Sequence, residues 1–233
     1  MNKKLDNGYE DDEQPELMKL FAKPKKTITR SVRQHEHYHP IDGYIESFEQ
    51  FDELVELLLT VPEGDVVRLY ISSGGGRLDV ADMVVARICE AQQRGVTVNA
   101  ELGFTCASAA TFIALSCDEI HPSPLTQFTV HPWSSGKPWG FATTHLNDAI
   151  YDKKQSDRFM KEVYSGFLSP EEMESVLEFP RDLHYDADEV LERWGNLQAY
   201  RQAEFEKMLA EIQAAQEEAN KPPAKKTAKK KST

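Results

Sequence analysis

The sequence predicts an α/β fold assembled from β–α–β units, on three observations. A β-rich run, Val66-Val67-Arg68-Leu69-Tyr70-Ile71, is followed by an amphipathic stretch marked by Leu78, Met83, Val84 and Ile88, and then by a second run, Val96-Thr97-Val98-Asn99-Ala100. Strands joined through a helix pair in parallel by right-handed crossovers. The alternation continues with a helix-forming stretch from Ser108 to Ser116 and the short runs Glu119-Ile120-His121 and Phe128-Thr129-Val130. Finally, 233 residues at 40% hydrophobic content suffice for one cored domain with extensions.

Residues 1–27 are polar, first acidic and then basic, without sustained periodicity. They are expected to form a flexible arm with one short helical turn at Leu17–Phe21. Next comes His35-Glu36-His37-Tyr38-His39. On a strand, alternate side chains share a face, so three imidazoles could converge on a metal. The competing reading, a polar strand edge, is preferred because no activated-water motif accompanies them. No metal and no cofactor is expected.

Phe48, Phe51, Leu54, Val55 and Leu58 recur at helical spacing, and Pro62-Glu63-Gly64-Asp65 closes that helix. The strand at 66–71 is expected to end in a glycine turn, Gly74-Gly75-Gly76. The helix after it reaches Arg94, and Gly95 stops it. Residues 141–166 read as one long helix with Leu146, Ile150, Phe159, Met160 and Val163 as apolar marks. Ser169-Pro170-Glu171-Glu172 is a capping box with proline at the first helical position, and Asp186 with Glu189 gives a second start signal. A C-terminal helix is expected over 198–220, with Phe205, Met208, Leu209 and Ile212 on one stripe. The lysine-rich tail at 221–233 has no core-forming residues and is expected to be disordered.

Composition narrows the function classes. Net charge is −12, and the six lysines of the tail make the body before it more acidic still. Such a charge disfavours nucleic acid as the main partner, apart from weak contacts of the tail. No apolar run nears the ~18 residues that span a bilayer, and no hydrophobic leader opens the chain, so the expected address is cytoplasmic. Cys89, Cys106 and Cys117, odd in number and in apolar stretches, read as reduced core residues.

The chemistry lies in residues 70–131. Glycines between a strand and a helix let backbone N–H groups approach an anion, yet Gly74-Gly75-Gly76 is neither a dinucleotide fingerprint nor a P-loop. Ser108 sits among small residues where a helix should start, and His131 ends a strand before Pro132. Singly, these fit an ordinary N-cap serine and a structural histidine. Jointly, they supply the nucleophile, base and oxyanion donors that acyl transfer needs.

These segments resemble the proteolytic subunit of the Clp protease, within the wider Clp/crotonase fold. Tyr70-Ile71-Ser72-Ser73-Gly74-Gly75-Gly76 resembles that family's Tyr-Ile-Asn-Ser-Pro-Gly-Gly. Cys106-Ala107-Ser108-Ala109-Ala110 is similar to its Ala-Ala-Ser-Met/Ala-Ala, and Phe128-Thr129-Val130-His131-Pro132 to its Ile-Met-Ile-His-Gln. Gly136 to Gly140 matches a glycine-containing stretch before the long helix, and Asp182 through Val190 resembles Asp-Arg-Phe-Leu-Ser-Ala-x-Glu-Ala. The resemblance covers residues 40–196. Departures include an extra residue between Gly103 and Ser108, as in a distant, phage-type member.

The resemblance implies a spiral of β–α–β units with a protruding long helix. It implies a protease domain over 28–197, flanked by the arm, the C-terminal helix and the tail. It implies a serine endopeptidase with Ser108 as nucleophile, His131 as base, and the N–H groups of Gly75 and Ala109 as oxyanion hole. Counting back from Asp182 places the triad acid on Glu178, with Asp182 as the alternative. The implied partners are a peptide or unfolded-protein substrate and further copies in stacked, heptameric rings joined by the long helix, with Ile150, Phe159 and Met160 in the contact. An ATP-driven (AAA+) unfoldase is a further possible partner. Two rival readings stand beside it: another crotonase-fold enzyme acting on acyl-CoA or thioester substrates, and a structural protein that has lost activity.

Overall fold

The computed structural model describes residues 34–134, 142–179 and 181–219. The arm at 1–27 with its turn at Leu17–Phe21, the stretch from Gly136 to Gly140 and the tail at 221–233 lie outside the described residues. The strands are β1 (Glu36–Ile45), β2 (Val66–Gly76), β3 (Thr97–Ala107), β4 (Glu119–Pro122), β5 (Gln127–Val130) and β6 (Leu183–Tyr185). The α-helices are α1 (Asp52–Thr60), α2 (Leu78–Gln93), α3 (Ala109–Leu115), α4 (Ala142–Tyr164), α5 (Pro170–Glu178) and α6 (Ala187–Ala219). The strands form one sheet in the order β1-β2-β3-β5-β6, with β4 also on β3. Every pairing is parallel except β5 with β6. The chain is thus mixed α/β with a mainly parallel sheet, and no helix of the described residues is long and apolar enough to cross a membrane.

Burial follows from periodicity. Val67, Leu69 and Ile71 alternate inward on β2, and Val98, Ala100 and Leu102 do so on β3. Val80, Val84, Ile88 and Ala91 form the buried stripe of α2, and all join one core cluster. Both start signals read in the sequence are made. Ser169 and Glu172 cap each other reciprocally at α5, as do Asp186 and Glu189 at α6. Glu172 also pairs with Arg193 through two contacts of 2.7 Å and accepts the Tyr185 hydroxyl at 3.2 Å. That network ties α5, β6 and α6 together.

Three expectations are corrected. First, β2 does not stop before the glycines but runs through them. Paired with β1, it reaches Gly76 opposite Ile45, past a register shift between Gly43 and Tyr44. A Cβ on Gly76 would lie 2.1 Å from the Ile45 carbonyl oxygen, so this glycine serves close strand approach rather than a turn.

Second, α6 is continuous from Ala187 to Ala219, so the helix expected over 198–220 is the later part of one that starts at Ala187. Gly195 sits inside it, where an added Cβ would meet nothing within 4 Å. Third, Met160 is fully buried, and Phe159 packs edge-on against Phe112 with ring centres 5.1 Å apart. Both belong to this chain's own core, leaving Leu146, Ile150 and Tyr151 as the exposed apolar residues of α4.

Around the start of β1, His35 and His37 both engage Asp65. The backbone N–H of His35 donates to Asp65 Oδ1 at 3.0 Å, and His37 Nε2 lies 3.1 Å from Oδ2. Those two contacts hold the Asp65 carboxyl below its ordinary range. Among the described residues no three ligating side chains converge on a metal-sized site.

Candidate active site

The parallel sheet brings three strand ends together. Gly76 ends β2, Ser108 follows the last residue of β3, and His131 follows the last residue of β5, on three strands adjacent in the sheet. Ligands of parallel sheets bind beyond the carboxyl ends of the strands. Gly76, Ser108, Ala109 and His131 there line a cavity of about 380 Å³ with Leu78, Trp133, Phe159 and Tyr164. That volume lies within the ~300–1,000 Å³ of small-ligand sites.

The β2–β3 ladder is irregular before Ser108. Ile71 pairs with Leu102 but Ser73 pairs with Cys106, so β3 bulges between these points. The bulge is where β3 exchanges β4 for β5 as its neighbour. There the Leu102 carbonyl accepts the Ser123 N–H at 3.0 Å, and the Gly103 carbonyl lies 2.9 Å from the Thr126 hydroxyl, which can donate to it.

Ser108 makes the turn from β3 into α3 at φ 55°, ψ −127°. Among the described residues it is the one non-glycine with positive φ. Such a conformation costs ~1–3 kcal/mol and persists only where the surroundings enforce it. Here the Ser108 N–H donates to Thr129 O at 3.0 Å, continuing the β3–β5 ladder. Its carbonyl accepts the Thr111 N–H at 2.9 Å and the Thr111 hydroxyl at 2.6 Å. Gly75 backs the turn, since a Cβ there would lie 2.5 Å from Ser108 Cβ. Although Ser108 holds the N-cap position, its side chain makes no capping hydrogen bond. The ordinary N-cap reading is therefore not its role, and a strained strand-to-helix turn of this kind exposes a nucleophilic hydroxyl. Cys106 nearby is fully buried, and burial pushes its thiol far up, away from the reactive thiolate.

His131 is half-buried, with Nδ1 2.8 Å from the carbonyl oxygen of Pro132. A carbonyl oxygen only accepts, so Nδ1 carries the proton and Nε2 keeps its lone pair. No hydrogen bond joins His131 to Ser108 among the described residues, although both face the same cavity.

The two candidate acids part company. Glu178 is exposed at the end of α5, where its charge acts on Lys153, and it borders a different cavity with Lys161 and Arg193. Asp182 immediately precedes β6, whose antiparallel register sets Leu183 against Val130. The ladder ends there, and its register carried one position further would bring Asp182 level with His131. Neither acid hydrogen-bonds the imidazole among the described residues.

The expected oxyanion pair also divides. The Gly75 N–H donates to Ser73 Oγ at 3.1 Å, and the Ser73 hydroxyl donates to Gly43 O at 2.6 Å. Gly75 therefore shapes the turn by having no side chain, and the glycine bordering the cavity is Gly76. Ala109 opens α3, where N–H groups have no acceptor within the helix.

The sequence did not point to Thr111 or Tyr164. Thr111 lies three residues past Ser108, the spacing of a side chain that reaches back to its carbonyl, which is a readable signal. Tyr164 has none, because its hydroxyl meets Thr111 Oγ1, at 2.7 Å, only through tertiary packing. A scan against protein-family models gives no match for this chain, and a search of curated proteins gives none either.

Proposed function

We propose that this chain is a serine endopeptidase of the Clp proteolytic-subunit type, with the spiral arrangement of that fold, working inside a ring-shaped homo-oligomer. The observation that carries the reading is the strained, uncapped Ser108 sharing one cavity with a Nδ1-protonated His131. His131 Nε2 takes the Ser108 proton as Oγ attacks the scissile carbonyl carbon. The oxyanion so formed is met by the Ala109 N–H. The imidazolium gives its proton to the leaving amine, and water activated by the same nitrogen then hydrolyses the acyl-serine ester.

A thioester-specific crotonase-type enzyme would use the oxyanion site without needing the Ser-His pair, which is why peptidase is preferred. The ring, an unfoldase partner and a phage origin belong to the proposal through the resemblance, and exposed Leu146, Ile150 and Tyr151 suit a contact between copies. Purified protein is expected to cut short fluorogenic peptides readily and folded proteins poorly, and to scatter light as a particle larger than a monomer. Turnover of acyl-CoA thioesters without peptide hydrolysis would favour the rival enzyme, and no turnover of either would favour the structural protein.

The acid is tested by mutation. Because the Pro132 carbonyl already sets the tautomer, the carboxylate is left with stabilising the imidazolium. Asp182→Asn is then expected to lower kcat by roughly 10²-fold, below the ~10⁴ seen where the acid does both. Glu178→Gln should leave kcat at the wild-type value, and the reverse pattern would return the role to Glu178.

A further inference from the structure

We infer that Thr111 and Tyr164 are positioning residues that fix the peptide plane between Ser108 and Ala109, and so aim the Ala109 N–H at the reacting carbonyl oxygen. The inference rests on the peptidase reading above.

Thr111 has one hydroxyl proton, and it goes to the Ser108 carbonyl at 2.6 Å. The 2.7 Å contact with Tyr164 must then run the other way, with the tyrosine hydroxyl donating to Thr111 Oγ1. The result is a directed chain, from Tyr164 to Thr111 to the Ser108 carbonyl, whose two side chains are wholly or almost wholly buried. In such surroundings each bond strengthens the next. Burial also pushes the Tyr164 phenol above its usual value, so it stays a donor.

The peptide plane gives the chain its consequence. No peptide bond among the described residues is cis. The Ser108 carbonyl and the Ala109 N–H therefore belong to one flat group and point in opposite directions. Whatever fixes the carbonyl fixes the N–H. With the carbonyl held by the Thr111 N–H and hydroxyl, rotation about Ser108 ψ is blocked from one side, and the free edge of the plane faces away from them. Tyr164 is also the last residue of α4 and lines the Ser108 cavity. The position of the long helix is thus mechanically linked to the backbone of the nucleophile, through two side chains that never touch the substrate's reacting atoms.

Thr111→Val keeps shape and volume but removes the hydroxyl. It is expected to lower kcat by about 10²-fold, the scale of an ångström-sized misplacement of a catalytic group, with KM within about twofold. Thr111→Ser restores the hydroxyl and should recover most of kcat. Tyr164→Phe removes only the far donor and should lower kcat about tenfold, again without moving KM. A structural role alone would lower melting temperature without separating kcat from KM, and valine and serine would then be ranked by packing.

Should Thr111→Val fail to fold, Tyr164→Phe decides the matter. Folded variants with wild-type kcat overturn this inference while leaving the peptidase reading intact, as does Thr111→Ser falling as far as Thr111→Val. A wild type that neither hydrolyses peptides nor takes a serine-directed label overturns both.

Discussion

Ser108→Ala is expected to lower kcat by roughly 10⁶-fold, the scale at which loss of the nucleophile removes all that the catalytic group does together. The fold should survive, because the alanine keeps the Cβ that packs against Gly75 and loses a hydroxyl that caps nothing. Ser108→Gly gives the complementary result. Glycine accepts φ 55° without strain, so this variant should be equally inactive yet more stable, by ~1 kcal/mol or more. Stability gained together with activity lost is what a conformation retained for chemistry predicts. Denaturant titration and steady-state kinetics on the two variants measure both halves. Substantial peptidase activity in either one would remove Ser108 from the mechanism.

His131→Ala should cost nearly as much, ~10⁶-fold in kcat, because nucleophile and base act as a unit. The informative variant is the double one. If His131 serves only to activate Ser108, Ser108→Ala with His131→Ala is no worse than either alone. Independent contributions would instead multiply, and a multiplicative double variant would mean that the two residues serve different steps.

Much of this fold was legible because its signals are local. The alternation of Val67, Leu69 and Ile71, the stripe from Val80 to Ala91 and the reciprocal caps at Ser169 and Asp186 depend on neighbours a few residues away. The site was legible in part for the same reason, since Ser108 and His131 each close a strand-like run. What was not legible depends on partners distant in sequence. Gly74-Gly75-Gly76 reads locally as a turn, and only the approach of Ile45 makes it strand. Met160 and Phe159 look like an exposed stripe on a lone helix, yet Met160 is buried and Phe159 packs on Phe112. Counting along the chain points to Glu178, whereas the β5–β6 register, which depends on distant partners, points toward Asp182. Tyr164 was unreadable because its hydrogen bond spans 53 positions.

The most direct test of the central claim is covalent. Protein treated with a fluorophosphonate, then weighed intact and mapped by peptide mass, should carry one adduct per chain, located on Ser108 and missing from Ser108→Ala. Only a base-activated hydroxyl attacks such a reagent quickly. An adduct on Ser72, Ser73 or Ser116 in place of Ser108, or an active protein that takes no label at all, would contradict the account.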